Sequence, residues 1–231
     1  MRIGIITAMK VEHDQIVGLL DERRECHGEV FNFSEGKLGT GDIVVMQCGI
    51  GKVNAAVGAT EMIRRFAPQC IISTGVAGGI DQRLKLMDVV ASSQVVYHDV
   101  WCGEGNEYGQ VQGLPPRFEG DKRLLEEAVT IKKEETTIHP GLICSGDKFI
   151  TDRKELDEIK KHFPEGMAVD MESGAIAQVC HLHKVPFISF RIISDTPGVD
   201  NHWEQYTDFW GTMADRSFDV TREYLTKLAG K

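Results

Sequence analysis

The sequence has no excess of basic residues and no long apolar run. Acidic residues outnumber basic ones by 35 to 26 in 231 residues, which gives a formal charge of -9. A protein that binds nucleic acid usually presents a basic face, so this balance argues against such a partner. No run approaches the roughly 20 apolar residues of a membrane span, and residues 1–10 lack the features of a signal peptide. We therefore expect a soluble, cytoplasmic protein that contacts neither nucleic acid nor membrane.

Paired cysteines and metal-binding motifs are also missing. The six cysteines form no C-x-x-C pair, and a cytosolic chain of this length does not need disulfides. The eight histidines include no H-E-x-x-H motif. His181 and His183 are two positions apart on a predicted helix and therefore lie on different faces. The sequence predicts reduced structural thiols, no metal and no cofactor.

The composition is that of an ordinary globular protein, with 42% hydrophobic and 26% charged residues. Short apolar runs alternate with helical periodicity, without an internal repeat or a low-complexity linker. Strands are predicted at residues 2–7, 29–35, 42–48, 70–74, 88–97, 141–145, 168–171 and 186–194. Helices are predicted at residues 11–22, 52–66, 122–133, 152–162, 173–183 and 206–228. The pattern predicts a single α/β domain over residues 1–231, with a mixed, twisted central sheet flanked by helices.

Residues 98–118 interrupt this pattern. The segment is rich in glycine, proline and aromatic residues, among them Trp101, Tyr108 and Phe118. About twenty residues without regular structure are uncommon inside a compact domain and usually form a functional loop. Exposed apolar residues of this kind usually mark contact surfaces, so we expect this loop to bind another surface.

Three acidic residues follow predicted strands at the edge where α/β sheets bind their ligands. They are Glu12, Glu172 and Asp195. Carboxylates that converge there can supply an acid, a base and cation stabilisation together. Each also has a structural interpretation, because Glu12 and Glu172 lie near helix starts and Asp195 can form a turn. Phe149 and Ile150, which follow another strand, are equally compatible with the core.

Seven sequence blocks, in order and with matching spacing, carry a resemblance to a known family. They are IGIITAM with Glu12, GIGKVNAA, STGVAGG, YHD, SGDKFI, VDMES and RIISD. From end to end the chain resembles the 5'-methylthioadenosine/S-adenosylhomocysteine nucleosidases of the purine nucleoside phosphorylase/hydrolase superfamily. The resemblance implies a nucleoside phosphorylase-like fold, a homodimer without cofactor, and hydrolysis of the bond between adenine and a 5'-substituted ribose.

The resemblance also implies a role for individual residues. Glu12 activates water, and Asp195 protonates nitrogen 7 of the adenine leaving group. Glu172 binds the 2'- and 3'-hydroxyls and stabilises positive charge on the ribose. Phe149 stacks on the base, and the backbone of Ile150 contacts the edge of the base. The other residues implied in substrate binding are Met9, Val76, Gly78, Met171, Arg191 and Ser194.

Two positions depart from the family pattern, and some assignments remain open. Val76 stands where the family often has a small hydroxyl residue, and Asp170 where it commonly has Glu. Tyr206 or Phe209 is a candidate cover for the ribose. Tyr108, Pro115 and Pro116 fall where the family covers the thioalkyl group in the partner subunit's site.

Hydrolysis is favoured over phosphorolysis, because the arginines that phosphorylases carry near residues 9–12 and 73–74 are absent. The alternatives are a hydrolase of another adenine nucleoside, such as 6-aminofutalosine, and a non-catalytic nucleoside-binding protein of the same fold. A dinucleotide-dependent oxidoreductase is disfavoured, since no G-x-G-x-x-G follows the first strand.

Overall fold

The chain forms ten strands and seven α-helices within the described residues, and the predicted mixed α/β class is confirmed. The structure, a computed structural model, describes residues 1–230, except for the side chains at positions 212, 216 and 217. The strands are β1 Arg2–Thr7, β2 Asp21–His27, β3 Asn32–Leu38, β4 Gly41–Gln47, β5 Cys70–Gly79, β6 Val89–Tyr97, β7 Phe118–Glu119, β8 Ile138–Ser145, β9 Gly166–Asp170 and β10 Phe187–Asp195. The helices are α1 Lys10–Val17, α2 Lys52–Phe66, α3 Lys122–Val129, α4 Arg153–His162, α5 Ser173–His183, α6 His202–Asp208 and α7 Ala214–Ala229, with a π-helical turn at Phe209–Met213.

All ten strands belong to one mixed sheet. The strand β1 lies between β4 and β5 and is parallel to both, while β3 and β2 continue antiparallel beyond β4. On the other side, β5 pairs with both β10 and β9, and the neighbouring strands β6 and β8 connect those two. The strands β5, β10, β6, β8 and β9 therefore close into a ring, so this half of the sheet resembles a small barrel. The carboxyl ends of β1, β5 and β10 come together at one edge.

Alternate side chains of the central strands enter two different apolar layers. Ile3 and Ile5 of β1 pack with Tyr224 of α7, whereas Ile6 packs with residues of α2 and α5. This burial on both faces is typical of parallel strands covered by helices and explains the nearly continuous isoleucine run of β1. None of the described helices is long and apolar enough to cross a membrane.

The prediction of one helix over residues 11–22 was wrong at its carboxyl end. The helix α1 ends at Val17, with Gly18 as its C-cap, and Asp21 already begins β2. The strand β2 lies at the edge of the sheet and is exposed at every residue except the partly buried Cys26. Charged side chains are common on edge strands, where they oppose unwanted pairing. Because β2 therefore lacks alternating hydrophobicity, the sequence contained no strand signal there.

Two of the elements that are longer than predicted extend towards the site. The strand β5 continues beyond Thr74 to Gly79, because β10 and β9 pair with its glycine-rich half. The last helical segment begins at His202 rather than near position 206, and the π-helical turn separates α6 from α7. Both differences bring additional residues to the edge of the sheet where β1, β5 and β10 end.

Candidate active site

A cleft of about 100 Å³ lies at the carboxyl ends of β1, β5, β9 and β10. Ten of the eleven predicted site residues line it: Met9, Glu12, Val76, Gly78, Phe149, Met171, Glu172, Arg191, Ser194 and Asp195. The remaining lining residues are Ala8, Ile50, Ala77, Val169, Asp170 and Tyr206. Within residues 1–230, no group of three or more His, Cys, Asp or Glu side chains is arranged to hold a metal ion.

Ile150 is the predicted site residue that does not line the cleft. Its side chain is 3% exposed and packs with Leu156 and Ile159 of α4. Only its main chain is therefore available for the contact with the base that the family resemblance implies. Of the two candidate covers for the ribose, Tyr206 lines the cleft. Phe209 is buried in the core against α7 and does not line it.

Glu12 is fixed by main-chain amides at the start of α1. Its Oε2 accepts hydrogen bonds from the N–H groups of Ala8 and Met9, at 3.2 and 3.0 Å, as in one half of a capping box. Its Oε1 accepts a third bond, of 3.1 Å, from the N–H of Val76. A Cβ atom at Gly75 would overlap Oε1, so glycine is needed for this close approach.

The pKa of Glu12 is raised. Burial is the main cause, and Arg191 and the three amides oppose it only in part. A carboxylate with a raised pKa is a stronger base than an exposed one, and Glu12 is held in one orientation at the cleft.

Arg191 lies at the centre of the acidic groups. Its Nε is 2.8 Å from Oδ2 of Asp170, and its Nη2 is 3.9 Å from Oε2 of Glu172. Nη2 also donates a 2.7 Å hydrogen bond to Oγ of Ser73. Burial alone would lower the pKa of Arg191, but Asp170, Glu172 and Glu12 together raise it. The guanidinium therefore stays charged and partly neutralises the acidic wall.

Glu172 has an unusually high pKa for a carboxyl group. Burial raises it to about 7, with Arg191 opposing the shift and Asp170 adding to it. Its Oε1 accepts a 3.0 Å hydrogen bond from the N–H of Gly51, which precedes α2. Gly51 has a φ of 97°, a conformation that glycine adopts easily. The start of α2 thus orients the carboxyl group of Glu172 in the cleft.

Asp195 ends β10 and is almost completely buried. Its Oδ1 accepts a 2.7 Å hydrogen bond from Oγ of Ser194, and its Oδ2 lies 3.8 Å from Nε2 of His202. Burial raises the pKa of Asp195, and Ser194 and His202 oppose the shift. A carboxyl group with a raised pKa can be protonated closer to neutral pH and can then act as an acid.

Aromatic side chains surround the mouth of the cleft next to Asp195. The ring of Phe149 lies 5.6 Å from that of Tyr206, 6.1 Å from that of Trp203 and 5.9 Å from that of His202. Phe149 is about half exposed, so its ring is accessible for stacking on a planar base.

Sequence reasoning missed His202 at this position. A helix-start signal was present, since Asn201 precedes α6 and Glu204 follows three residues later.

The loop at residues 98–118 does not cover the cleft of its own chain. Tyr108 stacks on His162 of α4, with the ring centroids 3.6 Å apart. Pro115 and Pro116 line a different groove, beside the end of α5, and the two cavities share no lining residue. Trp101 remains exposed.

Comparisons with known proteins agree with this arrangement. Residues 2–226 match the phosphorylase superfamily. The chain is 38% identical over 230 residues to a 5'-methylthioadenosine/S-adenosylhomocysteine nucleosidase of Desulfotalea psychrophila (strain LSv54 / DSM 12343), covering 99% of this chain and 98% of the relative. A protein of the same name from Exiguobacterium sp. (strain ATCC BAA-1283 / AT1b) is 42% identical over 85% of both chains.

Solved structures show the same similarity. The nucleosidase of Colwellia psychrerythraea 34H in complex with adenine has a TM-score of 0.93 and 34% identity, with coverage of 100% of this chain and 97% of the other. The Neisseria meningitidis nucleosidase in complex with methylthio-immucillin-A has a TM-score of 0.92 and 37% identity, with coverage of 98% and 99%. Fold, cleft and sequence thus agree over nearly the whole length, and the chain belongs to the phosphorylase superfamily and, within it, to the family of 5'-methylthioadenosine/S-adenosylhomocysteine nucleosidases.

Proposed function

We propose that this protein hydrolyses the N-glycosidic bond of 5'-methylthioadenosine and S-adenosylhomocysteine, and also of 5'-deoxyadenosine. The products are adenine and the 5'-substituted ribose. The observation that carries the proposal is the presence of Glu12 and Asp195 in one cleft, both buried and both with a raised pKa. Related structures hold adenine or methylthio-immucillin-A, which supports an adenine nucleoside as the ligand.

Glu12 is suited to activate the attacking water. A carboxylate oxygen can accept two hydrogen bonds, and Oε1 accepts one from Val76, so one position remains for water. Glu12 takes a proton from the water as its oxygen bonds to the anomeric carbon. Because the carboxylate is already oriented by three amides, little reorganisation accompanies this step.

Asp195 is suited to protonate the leaving group. As the bond between the anomeric carbon and nitrogen 9 breaks, its electron pair moves into the purine ring, and Asp195 gives its proton to nitrogen 7. Adenine then departs as a neutral molecule. Phe149 holds the base against Asp195 by aromatic contact, and Tyr206 lies beside it as the cover for the ribose.

Glu172 is suited to the ribose. Its carboxylate accepts hydrogen bonds from the 2'- and 3'-hydroxyls and stabilises the positive charge that grows on the sugar as the glycosidic bond breaks. Met171 contributes an apolar contact from the same turn. Arg191 keeps Glu172 oriented, because it is itself held by Asp170.

The charge of the cleft supports water rather than phosphate as the nucleophile. Among the described residues that line the cleft, four are acidic and Arg191 is the only cation. Arg191 already faces Asp170 and Glu172. A phosphate dianion needs free cations and would be repelled here, whereas neutral water would not.

The active form that we propose is a homodimer in which the loop at residues 98–118 completes the partner's site. Three exposed apolar side chains, Val53, Val57 and Trp101, support such a contact surface. The ion pair between Lys52 and Asp99, at 2.9 Å, holds the start of α2 against the start of the loop. A closed two-fold pair is the commonest solution for such a surface.

Complementation in verified heterodimers tests the shared site. One chain carries Glu12→Gln, and the other has glycines at positions 101–108. If each loop serves the partner's site, both lesions fall in one site, and about half of a normal dimer's activity returns per heterodimer. A fully active monomer in light scattering, or no recovery in the heterodimer, would refute this assembly.

We also propose a reducing, cytoplasmic setting. Burial raises the pKa of Cys48 and Cys144 to about 12 and that of Cys70 to about 11. These thiols stay protonated and unreactive at neutral pH, which supports their role as structural apolar residues.

Adenine release in phosphate-free buffer tests the proposed activity. The panel comprises 5'-methylthioadenosine, S-adenosylhomocysteine, 5'-deoxyadenosine and 6-aminofutalosine. We expect adenine and a free 5'-substituted ribose from the first three nucleosides. A strict need for phosphate, with a ribose 1-phosphate product, would overturn hydrolysis. Binding without release would indicate a nucleoside-binding protein.

A further inference from the structure

The imidazole of His202 is buried next to Asp195, the proposed acid. His202 is the first residue of α6 and is 6% exposed. Its Nε2 has no hydrogen-bond partner in the part of the chain that the structure describes, and lies 3.8 Å from Oδ2 of Asp195. This separation is about 1 Å longer than an ordinary N–H···O bond, so a small movement of α6 would close it.

The surroundings leave Asp195 as the acidic partner of this nitrogen. The His202 ring packs against Phe149 and Trp203, with centroids 5.9 and 6.3 Å away. Tyr206, another titratable side chain on α6, has its Oη 3.8 Å from Sδ of Met9. Phe149 and Trp203 are themselves exposed, so solvent lies beyond the two rings that the imidazole contacts.

A hydrogen bond links α6 to the residue that follows β10. The N–H of Thr196 donates a 2.9 Å hydrogen bond to Oε1 of Gln205, which lies one turn after His202. The orientation of the imidazole towards Asp195 therefore follows from a specific contact.

The proposed reaction creates a need for proton supply at Asp195. Each turnover leaves Asp195 as a carboxylate and Glu12 protonated, so Asp195 must regain a proton before the next substrate reacts. Oδ1 already accepts a bond from Ser194, whereas Oδ2 faces His202. A hydroxyl group is a poor proton donor at neutral pH, but imidazole gains and loses protons there.

We propose that His202 is a positioning residue that returns a proton to Asp195 between turnovers. The imidazolium transfers its Nε2 proton to Oδ2 of Asp195, and the neutral imidazole takes another proton from solvent. The proton lost by Glu12 to solvent balances the one gained, and no other bond changes. This role rests on the proposed nucleosidase function.

Two substitutions separate proton supply from simple packing. His202→Gln keeps a donor near Nε2 but cannot carry a proton, and His202→Phe fills the apolar site without a polar atom. Rapid-quench measurement of adenine release from 5'-methylthioadenosine compares the first turnover with later ones. Glu204→Gln, at an exposed position on α6, is the matched control and should behave like the native chain.

For His202→Gln we expect a first turnover close to the native rate, followed by later turnovers slower by about tenfold or more. Added imidazole should restore the later turnovers, because a small acid can protonate Asp195 directly, whereas it would not accelerate slow release of adenine. His202→Phe should show the same burst and rescue. Thermal unfolding near the native temperature shows that each variant is folded.

Three results would overturn the role: unchanged steady-state turnover, an equal fall in the first and later turnovers, or a burst that imidazole does not remove. The native chain separates this role from the proposed function. If the native chain releases no adenine, the proposed function and the role of His202 both fail. If the native chain releases adenine but the His202 variants show no burst, only the role of His202 fails.

Discussion

The Nε atom of Arg191 lies 2.8 Å from Oδ2 of Asp170, and both side chains are almost completely buried. Asp170 also accepts hydrogen bonds from the N–H and hydroxyl groups of Ser173 at the start of α5. Asp170, where the family resemblance implies glutamate, therefore makes a short, direct ion pair with Arg191. That pair fixes the guanidinium which in turn faces Glu172.

Asp170→Asn should strongly destabilise the fold. Removing one partner of a buried ion pair leaves the other charge uncompensated and costs about 3–5 kcal/mol in the free energy of unfolding. Urea denaturation provides the measurement. Asp14→Asn, at the exposed pair with Lys10, is the control and should leave the midpoint unchanged. Equal midpoints for the two variants would contradict the structural role of Asp170.

Glu172→Gln should abolish activity. Its stability relative to the native chain should increase as the pH rises. The pKa of Glu172 is raised from 4.5 to about 7 in the folded chain. Between these values the folded state holds a proton that the unfolded state has lost, so a rising pH reduces native stability. The neutral amide removes this dependence. We expect its stability advantage over the native chain to grow by about 3 kcal/mol from pH ~4 to ~8.

Thermal or urea unfolding at several pH values measures this difference. A constant difference between Glu172→Gln and the native chain across that range would show that the pKa of Glu172 is not raised.

Ser194→Ala should extend activity to higher pH. Burial raises the pKa of Asp195, and the Ser194 hydroxyl opposes this shift by donating to the carboxylate. Without that bond the pKa rises further, so the acid stays protonated to higher pH. A hydrogen bond to a charged group is worth roughly 1.5 kcal/mol, which corresponds to about one pH unit.

The basic limb of kcat/KM against pH is the quantity to measure. Ser194→Thr keeps the hydroxyl group and should retain the native limb. A shift of the Ser194→Ala limb towards lower pH would contradict the assignment of Asp195 as the acid.

Gly75→Ala should strongly lower activity through Glu12. The added Cβ would overlap Oε1 of Glu12 and lie 2.9 Å from Nη1 of Arg191. Displacement of a catalytic group by about 1 Å typically lowers the rate about 100-fold. Gly211→Ala is the matched control, because a Cβ there meets nothing within 4 Å. Steady-state adenine release compares the two, and equal rates would show that Glu12 does not need its present position.

Much of the site could be predicted because parallel strands place their carboxyl ends at one edge. Glu12 and Glu172 follow strands and Asp195 ends one, and the cleft contains all three. The pairing of Asp170 with Arg191 could not be predicted, since it depends on how β9 and β10 meet in three dimensions. His202 was missed for a similar reason, because α6 brings it back over Asp195.

The errors in the predicted secondary structure arose where tertiary contacts outweigh the local sequence pattern. The strand β2 has the charged composition of an exposed segment, and only its pairing with β3 makes it a strand. The glycines that extend β5 have no side chains to show periodicity, yet they pair with β9 and β10. The sequence alone did not distinguish Phe209 from a cleft residue. In the structure it begins the π-helical turn and is buried in the core.

The turnover of Glu12→Gln and Asp195→Asn tests the central claim most directly. Gln keeps the shape of Glu12 but cannot take a proton from water, and Asn keeps the shape of Asp195 but cannot give one to nitrogen 7. Loss of general acid or base catalysis lowers the rate by ~100- to ~10,000-fold. We expect a fall in kcat of this size for each variant in phosphate-free buffer, with binding of adenine and the unfolding temperature retained. A folded variant of either kind with near-native turnover would contradict the roles assigned to Glu12 and Asp195.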